Sequence, residues 1–168
     1  RVSQTGHKVF PPVVFYEVED KFCLDNAKEQ MLWAISNSDV VKISDDELEF
    51  LFGLSPEDGS HYILDHYQNV KLVFATCGAE GSVFCTRRTC GHVPAISGIK
   101  VVDTCGAGDI FGGAAMYKLL CCKKAPEELC CDELFEITSF ACTAASLSTR
   151  SHGGISSIPD YNEIMQNF

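Results

Sequence analysis

The spacing of apolar residues near the start of the chain changes from a helical to an extended period. From Asp25 the sequence reads DNAKEQMLWAIS, with apolar side chains at the three- and four-residue intervals of one helix face. This pattern predicts a helix that Asp25 caps and that buries Trp33 in the core. The apolar run DVVKI, residues 39–43, then predicts a short buried strand.

A helix with clear start and stop signals follows that strand. In the segment SDDELEFLFG, Ser44 and Glu47 have the S-x-x-E spacing of a capping box, and Gly53 suits the position just past a helix end. We expect a further short helix around residues 61–68. The apolar stretch VKLVFAT, residues 70–76, predicts the next strand.

The rest of the chain continues this alternation of strands and helices. After the turn CGAEG, the segments SVFCT and HVPAI predict a hairpin whose tip, Arg87-Arg88, lies in solvent. The pattern predicts one more strand, IKVVD at 99–103, and helices at 107–120, 132–149 and 161–167. Strands that alternate with helices indicate an α/β fold with a mainly parallel sheet flanked by helices.

Composition narrows the class of protein. The chain has 168 residues, 46% of them hydrophobic, which suits one compact domain with a real core. The formal net charge of −10 argues against nucleic acid or a membrane surface as the main partner, although backbone N–H groups can still hold a phosphate. No apolar run is long enough to span a membrane and nothing resembles a signal peptide, so we expect a soluble, cytoplasmic protein.

The cysteines carry little information by spacing. There are 10, and no C-x-x-C pair occurs among them. We interpret them as small apolar side chains in a reducing compartment. A metal or disulfide role for the pairs Cys121-Cys122 and Cys130-Cys131 is the less favoured alternative.

The segment VVDTCGAGDIFGG, residues 101–113, contains the most informative turn. A glycine turn before a predicted helix lets an anion approach the first N–H groups of that helix. The pattern is neither a Walker A loop nor G-x-G-x-x-G. Asp109 beside such a turn could accept the proton of a hydroxyl that attacks phosphorus. The alternative is that Asp109 only caps the helix and that the glycines only permit close packing.

The run from Asp103 to Asp109 resembles the D-T-x-G-A-G-D signature of the ribokinase-like carbohydrate kinases, the phosphofructokinase-B family. Segments 39–53, 70–84 and 140–154 are similar to that family too, and their sequences most resemble its fructokinase branch. The resemblance runs from about Ala27 to the C-terminus. It implies a ribokinase-like fold with three layers.

The resemblance also implies roles for single residues. Asp109 would be the catalytic base that deprotonates a sugar's primary hydroxyl, and the N–H groups of residues Gly106, Ala107 and Gly108 would bind the transferring γ-phosphoryl group of ATP. A T-x-G-x-x-G turn near the nucleotide is matched by Thr76, Gly78 and Gly81. The alternative for this second turn is an ordinary hairpin entry.

Three further assignments follow from the resemblance. Glu47 would contact Mg²⁺ through water, although Ser44 stands where relatives carry asparagine and both residues also form a capping box. Asp103 and Thr104 would help to bind a monovalent cation, K⁺, the alternative being a strand end with local hydrogen bonds. The small residues that would border the adenine pocket, or simply pack, are Ala141, Ala144, Ala145 and Gly153.

The resemblance covers only the C-terminal half of a family kinase. No D-x-N-x-R segment precedes the first predicted helix, so residues 1–26 are expected to be an atypical edge strand or arm, and residues 27–168 the nucleotide-binding part. The expected function is that of an ATP-dependent, fructokinase-like sugar kinase, present without its N-terminal half and β-lid. The alternative is a non-catalytic nucleotide-binding or oligomerising remnant. An exposed sheet edge would favour self-association.

Overall fold

The computed structural model describes residues 24–168, and it describes side chains from residue 27. The expectations for residues 1–23 lie outside this part of the chain. The helices are α1 Leu24–Ser36, α2 Asp45–Phe52, α3 Pro56–His66, α4 Ala107–Cys122, α5 Cys131–Ser148 and α6 Tyr161–Asn167. The strands are β1 Val40–Ser44, β2 Leu72–Thr76, β3 Ser82–Cys85 and β4 Cys90–Val93.

The four strands form one sheet in the order β1-β2-β3-β4. β1 and β2 are parallel, with Ser44 opposite Thr76, because α2 and α3 carry the chain back across the sheet. β2 pairs antiparallel with β3, and β3 with β4. The sheet of the described residues is therefore mixed, where the sequence pattern indicated a mainly parallel one. The short connections around β3 leave no room for a parallel crossover.

The sheet separates two apolar clusters, and this arrangement gives the fold its three layers. Val73, Ala75 and Val83 point to the side covered by α1, α2 and α3. The alternate positions Phe74 and Phe84 pack on the other side, against residues of α4 and α5. Each of these β2 side chains is at most 1% exposed, so β2 is the centre of the core.

Both ends of α2 are capped by the residues that the sequence pattern predicted. The Ser44 hydroxyl accepts the Glu47 N–H at 3.2 Å, and the Glu47 carboxylate accepts the Ser44 N–H at 2.7 Å. Gly53 ends the helix with a left-handed φ of 65°. The next helix, α3, starts earlier than expected because Ser55 caps it and Pro56 occupies its first position.

Several expectations about individual elements are wrong. Residues 99–103 form no strand: the N–H groups of Val102 and Asp103 donate to the carbonyl of Thr149, which ties the segment to the end of α5. Trp33 is 59% exposed, because the buried face of α1 is formed by Met31, Ala34 and Ile35. α1 begins at Leu24, so Asp25 lies inside the helix instead of before it.

The hairpin tip is more ordered than a solvated pair of arginines. Arg87 is exposed, yet its guanidinium donates to the carbonyl of Val70 at 2.7 Å and also to that of Leu64. Arg88 reaches the carbonyl of Glu127 at 3.3 Å. The tip is therefore tied to the segments on both sides of it.

The cysteines also differ from the expectation. Cys85 and Cys90 are joined by a disulfide across the β3–β4 hairpin, where they are direct partners in register. The other 7 cysteines of the described residues are free, including both adjacent pairs. Sequence spacing did not reveal the disulfide, because strand register and not local spacing brings these sulfurs together. Within residues 24–168, no helix combines the length and the apolar character needed to cross a membrane.

Candidate active site

The glycine turn before α4 is built from backbone. Gly106 adopts a φ of 77°, and its carbonyl accepts the Ile110 N–H at 2.9 Å, so it is the N-cap of α4. The Ala107 N–H donates to the Thr104 carbonyl at 3.1 Å. The N–H groups of Gly108 and Asp109 come next in the first turn, where a helix offers its own donors no acceptor. The turn thus presents donors and the positive end of the α4 dipole.

A second loop closes against this turn. A Cβ built on Gly106 would lie 2.8 Å from the Cα of Gly154. The contact is between two backbones, so no side chain can move aside to relieve it. Glycine at position 106 is therefore required both by the left-handed φ and by the neighbouring loop.

Asp103 joins the two loops. Its Oδ1 accepts the Cys105 N–H at 2.9 Å, and its Oδ2 accepts the Gly153 N–H at 3.1 Å. His152 Nδ1 lies 3.5 Å from the same Oδ2. The hydrogen bond from Cys105, followed by that from Gly153, lowers the pKa of Asp103 below its ordinary value. The interpretation of Asp103 as a residue that makes local hydrogen bonds thus has direct support.

Asp109 lies in the first turn of α4 and is exposed. With Gly106 and Gly154 it lines one end of a cavity of about 610 Å³ between α4, α5 and α6. The other end is apolar and includes Tyr117 and Phe140. The carboxylate is therefore accessible from a space large enough for a small organic ligand.

Lys42 is the residue that sequence reasoning missed. It lies in the middle of β1, and its Nζ is 2.9 Å from the position that a Cβ on Gly108 would take. Glycine at position 108 therefore leaves room for an ammonium group beside the first turn of α4. The signal in the sequence was a lysine in the centre of the apolar run VVKIS, because a charged side chain in a buried strand is uncommon unless it has a partner.

The residues of the second expected turn, T-x-G-x-x-G, lie at and just after the end of β2. Thr76 ends β2 opposite Ser44, and Gly78 begins a single 3₁₀ turn with a φ of 52°. Gly81 has a φ of 97°, and a Cβ there would lie 2.0 Å from the carbonyl oxygen of Val93. Packing against β4 therefore explains Gly81 without a ligand, which is the hairpin-entry alternative.

Glu47 lies in the first turn of α2, directly after the end of β1. Its Oε2 is held by the Ser44 N–H within the capping box. Carboxylate and water oxygens are the ligands that Mg²⁺ prefers, so the donor chemistry fits the ion.

The small residues expected near adenine divide into two groups. Ala141 is 0% exposed in the core under α5, so it packs and lines no ligand surface. Ala145 is partly buried against the same core. Ala144 lines the cavity, and Gly153 holds Asp103 through its N–H. Thr104, expected to help bind a cation, is exposed and gives its carbonyl to Ala107.

An α/β fold in which the first turn of a helix brings backbone donors, a carboxylate and a lysine ammonium group together is typical of enzymes that handle phosphate groups. Residues 5–161 match the pfkB family carbohydrate kinases, and the chain belongs to that family. The match extends into the segment 1–26, for which we expected an atypical structure.

Individual relatives agree with this family. The chain is 33% identical over 143 residues to fructokinase-2 of Solanum habrochaites, covering 84% of this chain and 42% of the relative. It is 32% identical to fructokinase-1 of Zea mays over 84% of this chain and 43% of that protein. The chain thus spans less than half the length of these curated relatives.

Solved structures confirm the ribokinase-like fold. A fructokinase from Vibrio cholerae O395, crystallised with fructose, ADP and calcium ion, superimposes with a TM-score of 0.74 and 27% identity over 85% of this chain and 45% of that one. Arabidopsis thaliana ribokinase, complexed with ribose and ATP, gives a TM-score of 0.65 and 27% identity over 79% of this chain and 41% of that one.

Proposed function

We propose that this chain is the nucleotide-binding and phosphoryl-transferring part of an ATP-dependent, fructokinase-like sugar kinase. The observation that carries the proposal is the cluster formed by the glycine turn of α4, Asp109 in the first turn of that helix and Lys42 of β1 beside Gly108. Family membership and the sugars and nucleotides bound by the solved relatives support it. We place the activity in the cytoplasm, where ATP and free sugars are both present.

The proposed reaction is an in-line phosphoryl transfer. The carboxylate of Asp109 accepts the proton of a sugar's primary hydroxyl while that oxygen bonds to the γ-phosphorus and the bond from phosphorus to the bridging oxygen of ADP breaks. Charge then increases on the equatorial oxygens of the transferred group. In the proposed site, the N–H groups of the turn at Gly106, Ala107 and Gly108 would face this charge, and the ammonium of Lys42 would add to them. Because the Ala107 N–H already donates to the Thr104 carbonyl, the Asp109 N–H would take its place.

Two ions belong to the proposal. Glu47 would hold Mg²⁺ through water, and the ion would neutralise phosphate charge. Asp103 and Thr104 would contribute oxygens to a K⁺ ion near the loop that contains Gly153. A related Vibrio cholerae fructokinase variant, 26% identical, was crystallised with fructose, ADP and potassium ion. Ala144 and the apolar end of the cavity would receive the adenine.

The test compares the wild-type chain with Asp109→Asn. We expect ADP release from MgATP that depends on added fructose or ribose and that falls about 100-fold to 10,000-fold in the variant, the range for loss of a general base. MgATP affinity should not fall, because the turn keeps its backbone donors and loses a carboxylate that repels the triphosphate. Equal turnover by both proteins would contradict the role of Asp109.

A non-catalytic nucleotide-binding or oligomerising role is the second candidate. Its support is the glycine turn of α4, whose backbone donors can hold a phosphate whether or not transfer follows. Binding of MgATP without turnover, with or without sugar, would support this role over the kinase. Absence of ATP binding would contradict both nucleotide-based functions.

We also propose self-association through β1. In the sheet of residues 24–168, β1 pairs with β2 on one side and is the edge strand on the other. An edge strand offers unpaired N–H and C=O groups that a second copy can meet. Sedimentation velocity over a concentration series should show a species larger than the monomer, and a monomer at every concentration would overturn this proposal.

A further inference from the structure

A second group of chemically reactive side chains lies at the other end of the sheet. Cys85 ends β3, Cys90 begins β4 directly opposite it, and His61 lies on α3 above the hairpin. Each of the three offers one ligand atom, and these atoms all lie within 4.8 Å of one another. This is the one group of three or more histidine, cysteine and acidic side chains with such spacing in the described part of the chain.

The cluster is remote from the proposed kinase site. Cys85 belongs to the apolar cluster on the side of the sheet covered by α1, α2 and α3, whereas α4, which carries the glycine turn and Asp109, packs on the opposite side. Neither Asp109 nor Lys42 belongs to the cluster, so its chemistry can be tested independently of phosphoryl transfer.

The donor set matches a thiophilic metal ion. Two thiolates and one imidazole are the ligands of zinc sites, and their mutual distances around a tetrahedral zinc are about 3.5 to 4 Å. The ligand atom of His61 lies within 4.8 Å of both sulfurs, near this range, whereas the two sulfurs, bonded to each other in the structure, must move apart after reduction. Cys85 is buried and Cys90 half-buried, while His61 is exposed, so three protein ligands and one water on the open side would complete the coordination.

The supports of the three ligands make the cluster more than a chance encounter of surface groups. Both cysteines are held by the register of an antiparallel hairpin, which is a rigid element. Cys85 is part of the apolar cluster beneath α3, together with Ile63 and Leu64 of that helix. An ion here would connect α3 to the β3–β4 hairpin at the β4 edge of the described sheet.

We propose that His61, Cys85 and Cys90 form a binding site for a thiophilic divalent cation of the zinc type when the cysteine pair is reduced. In the structure the two sulfurs are bonded to each other. Two equivalents of a thiol reductant supply two electrons and two protons, which break this S–S bond and give two thiols, while the reductant becomes a disulfide. Binding of the ion then releases the two thiol protons to solvent and forms two metal–sulfur bonds.

Cobalt(II) is a suitable probe because its spectrum reports thiolate ligands and tetrahedral geometry. Protein reduced with a thiol reductant, then freed of it without air, should bind one Co²⁺ per chain with thiolate-to-cobalt absorption. Zinc should displace the cobalt. Protein that retains the disulfide should give no such absorption.

His61→Ala is the decisive variant, because an exposed side chain can be removed without loss of the fold. We expect its cobalt affinity to fall at least 10-fold. Removal of a group that only hydrogen-bonds to a metal ligand already costs about 10-fold, so loss of a ligand should cost no less. His66→Ala, on the exposed side of the same helix, is the matched control and should bind cobalt as the wild type does. A Cys85→Ser and Cys90→Ser double variant should lose the thiolate absorption.

Other outcomes would overturn the proposal. These are absence of cobalt absorption in the reduced wild type, equal affinity in His61→Ala and His66→Ala, or unchanged absorption in the double variant. The last result would place the bound ion on other cysteines. Far-UV circular dichroism of the double variant, together with the His61→Ala titration, separates loss of the site from loss of the fold.

Discussion

The close approach of the glycine turn to the loop at Gly154 makes a sharp prediction for Gly106→Ala. The substitution places a methyl group 2.8 Å from the Cα of Gly154, at a residue whose φ is 77°. The left-handed conformation alone costs an alanine about 1 to 2 kcal/mol relative to glycine. The clash adds to this cost, because both partners are backbone and one loop must shift.

Gly113→Ala in the same helix is the matched control. A Cβ at Gly113 has no atom within 4 Å outside its own helix, and Gly113 is exposed. An alanine there removes backbone entropy from the unfolded chain and should stabilise α4 by up to about 1 kcal/mol. The two glycine-to-alanine changes, seven positions apart, should therefore act in opposite directions.

Urea unfolding monitored by circular dichroism measures the difference. The two variants should differ by about 2 to 3 kcal/mol in their free energies of unfolding, which corresponds to a shift of about 1 M or more in urea midpoint. Gly106→Ala should also lose MgATP affinity, since the donors of the turn move with the backbone. If Gly106→Ala is as stable as Gly113→Ala, the packing of the two loops is not as described.

Three further predictions concern charge and capping. Lys42→Met should weaken the binding of ATP about 10-fold or more and the binding of ADP much less, because a hydrogen bond to a charged group contributes about 1.5 to 3 kcal/mol. Titration calorimetry measures both affinities, and Lys71→Met is the control variant. Ser44→Ala should lower the free energy of unfolding by about 1 kcal/mol through loss of the α2 cap, measured by urea unfolding. The hydrogen bond from Lys124, followed by the N–H of Cys130, lowers the pKa of Glu133 to about 2. Because this pKa is depressed in the folded state, the stabilisation is complete above the ordinary pKa near 4.5 and is lost as the pH falls towards 2. In Glu133→Gln the Tm from thermal unfolding should therefore depend less on pH across that range than in the wild type.

Local signals predicted the parts of the structure that depend on local chemistry. The capping box at Ser44, the αL residue Gly53 and the helix at 161–167 all occur where the sequence placed them. Each of these is decided by residues within one or two helical turns. The signature around Gly106 likewise led to the family and to the correct helix start at Ala107.

The features that sequence analysis missed depend on distant parts of the chain. The disulfide of Cys85 needs the register of two strands, and the exposure of Trp33 depends on which face of α1 meets the sheet. Residues 99–103 have an apolar, β-branched composition typical of a strand, but their donors go to the end of α5. Lys42 approaches the glycine turn only because β1 and α4, far apart in sequence, pack together. Tertiary contacts outweigh local propensity in every one of these cases.

The position of Lys42 also resolves a difficulty in the charge balance of the proposed site. The chain carries a formal net charge of −10, and Asp109 adds a carboxylate at the place where a triphosphate would bind. The dipole of α4 provides only about half a positive charge there. An ammonium beside Gly108 supplies a full unit, and the absence of a Cβ at that residue lets it come close. In the proposed site, the missing Cβ of Gly108 would let this cation offset the charges of a base and a phosphate that share one helix terminus.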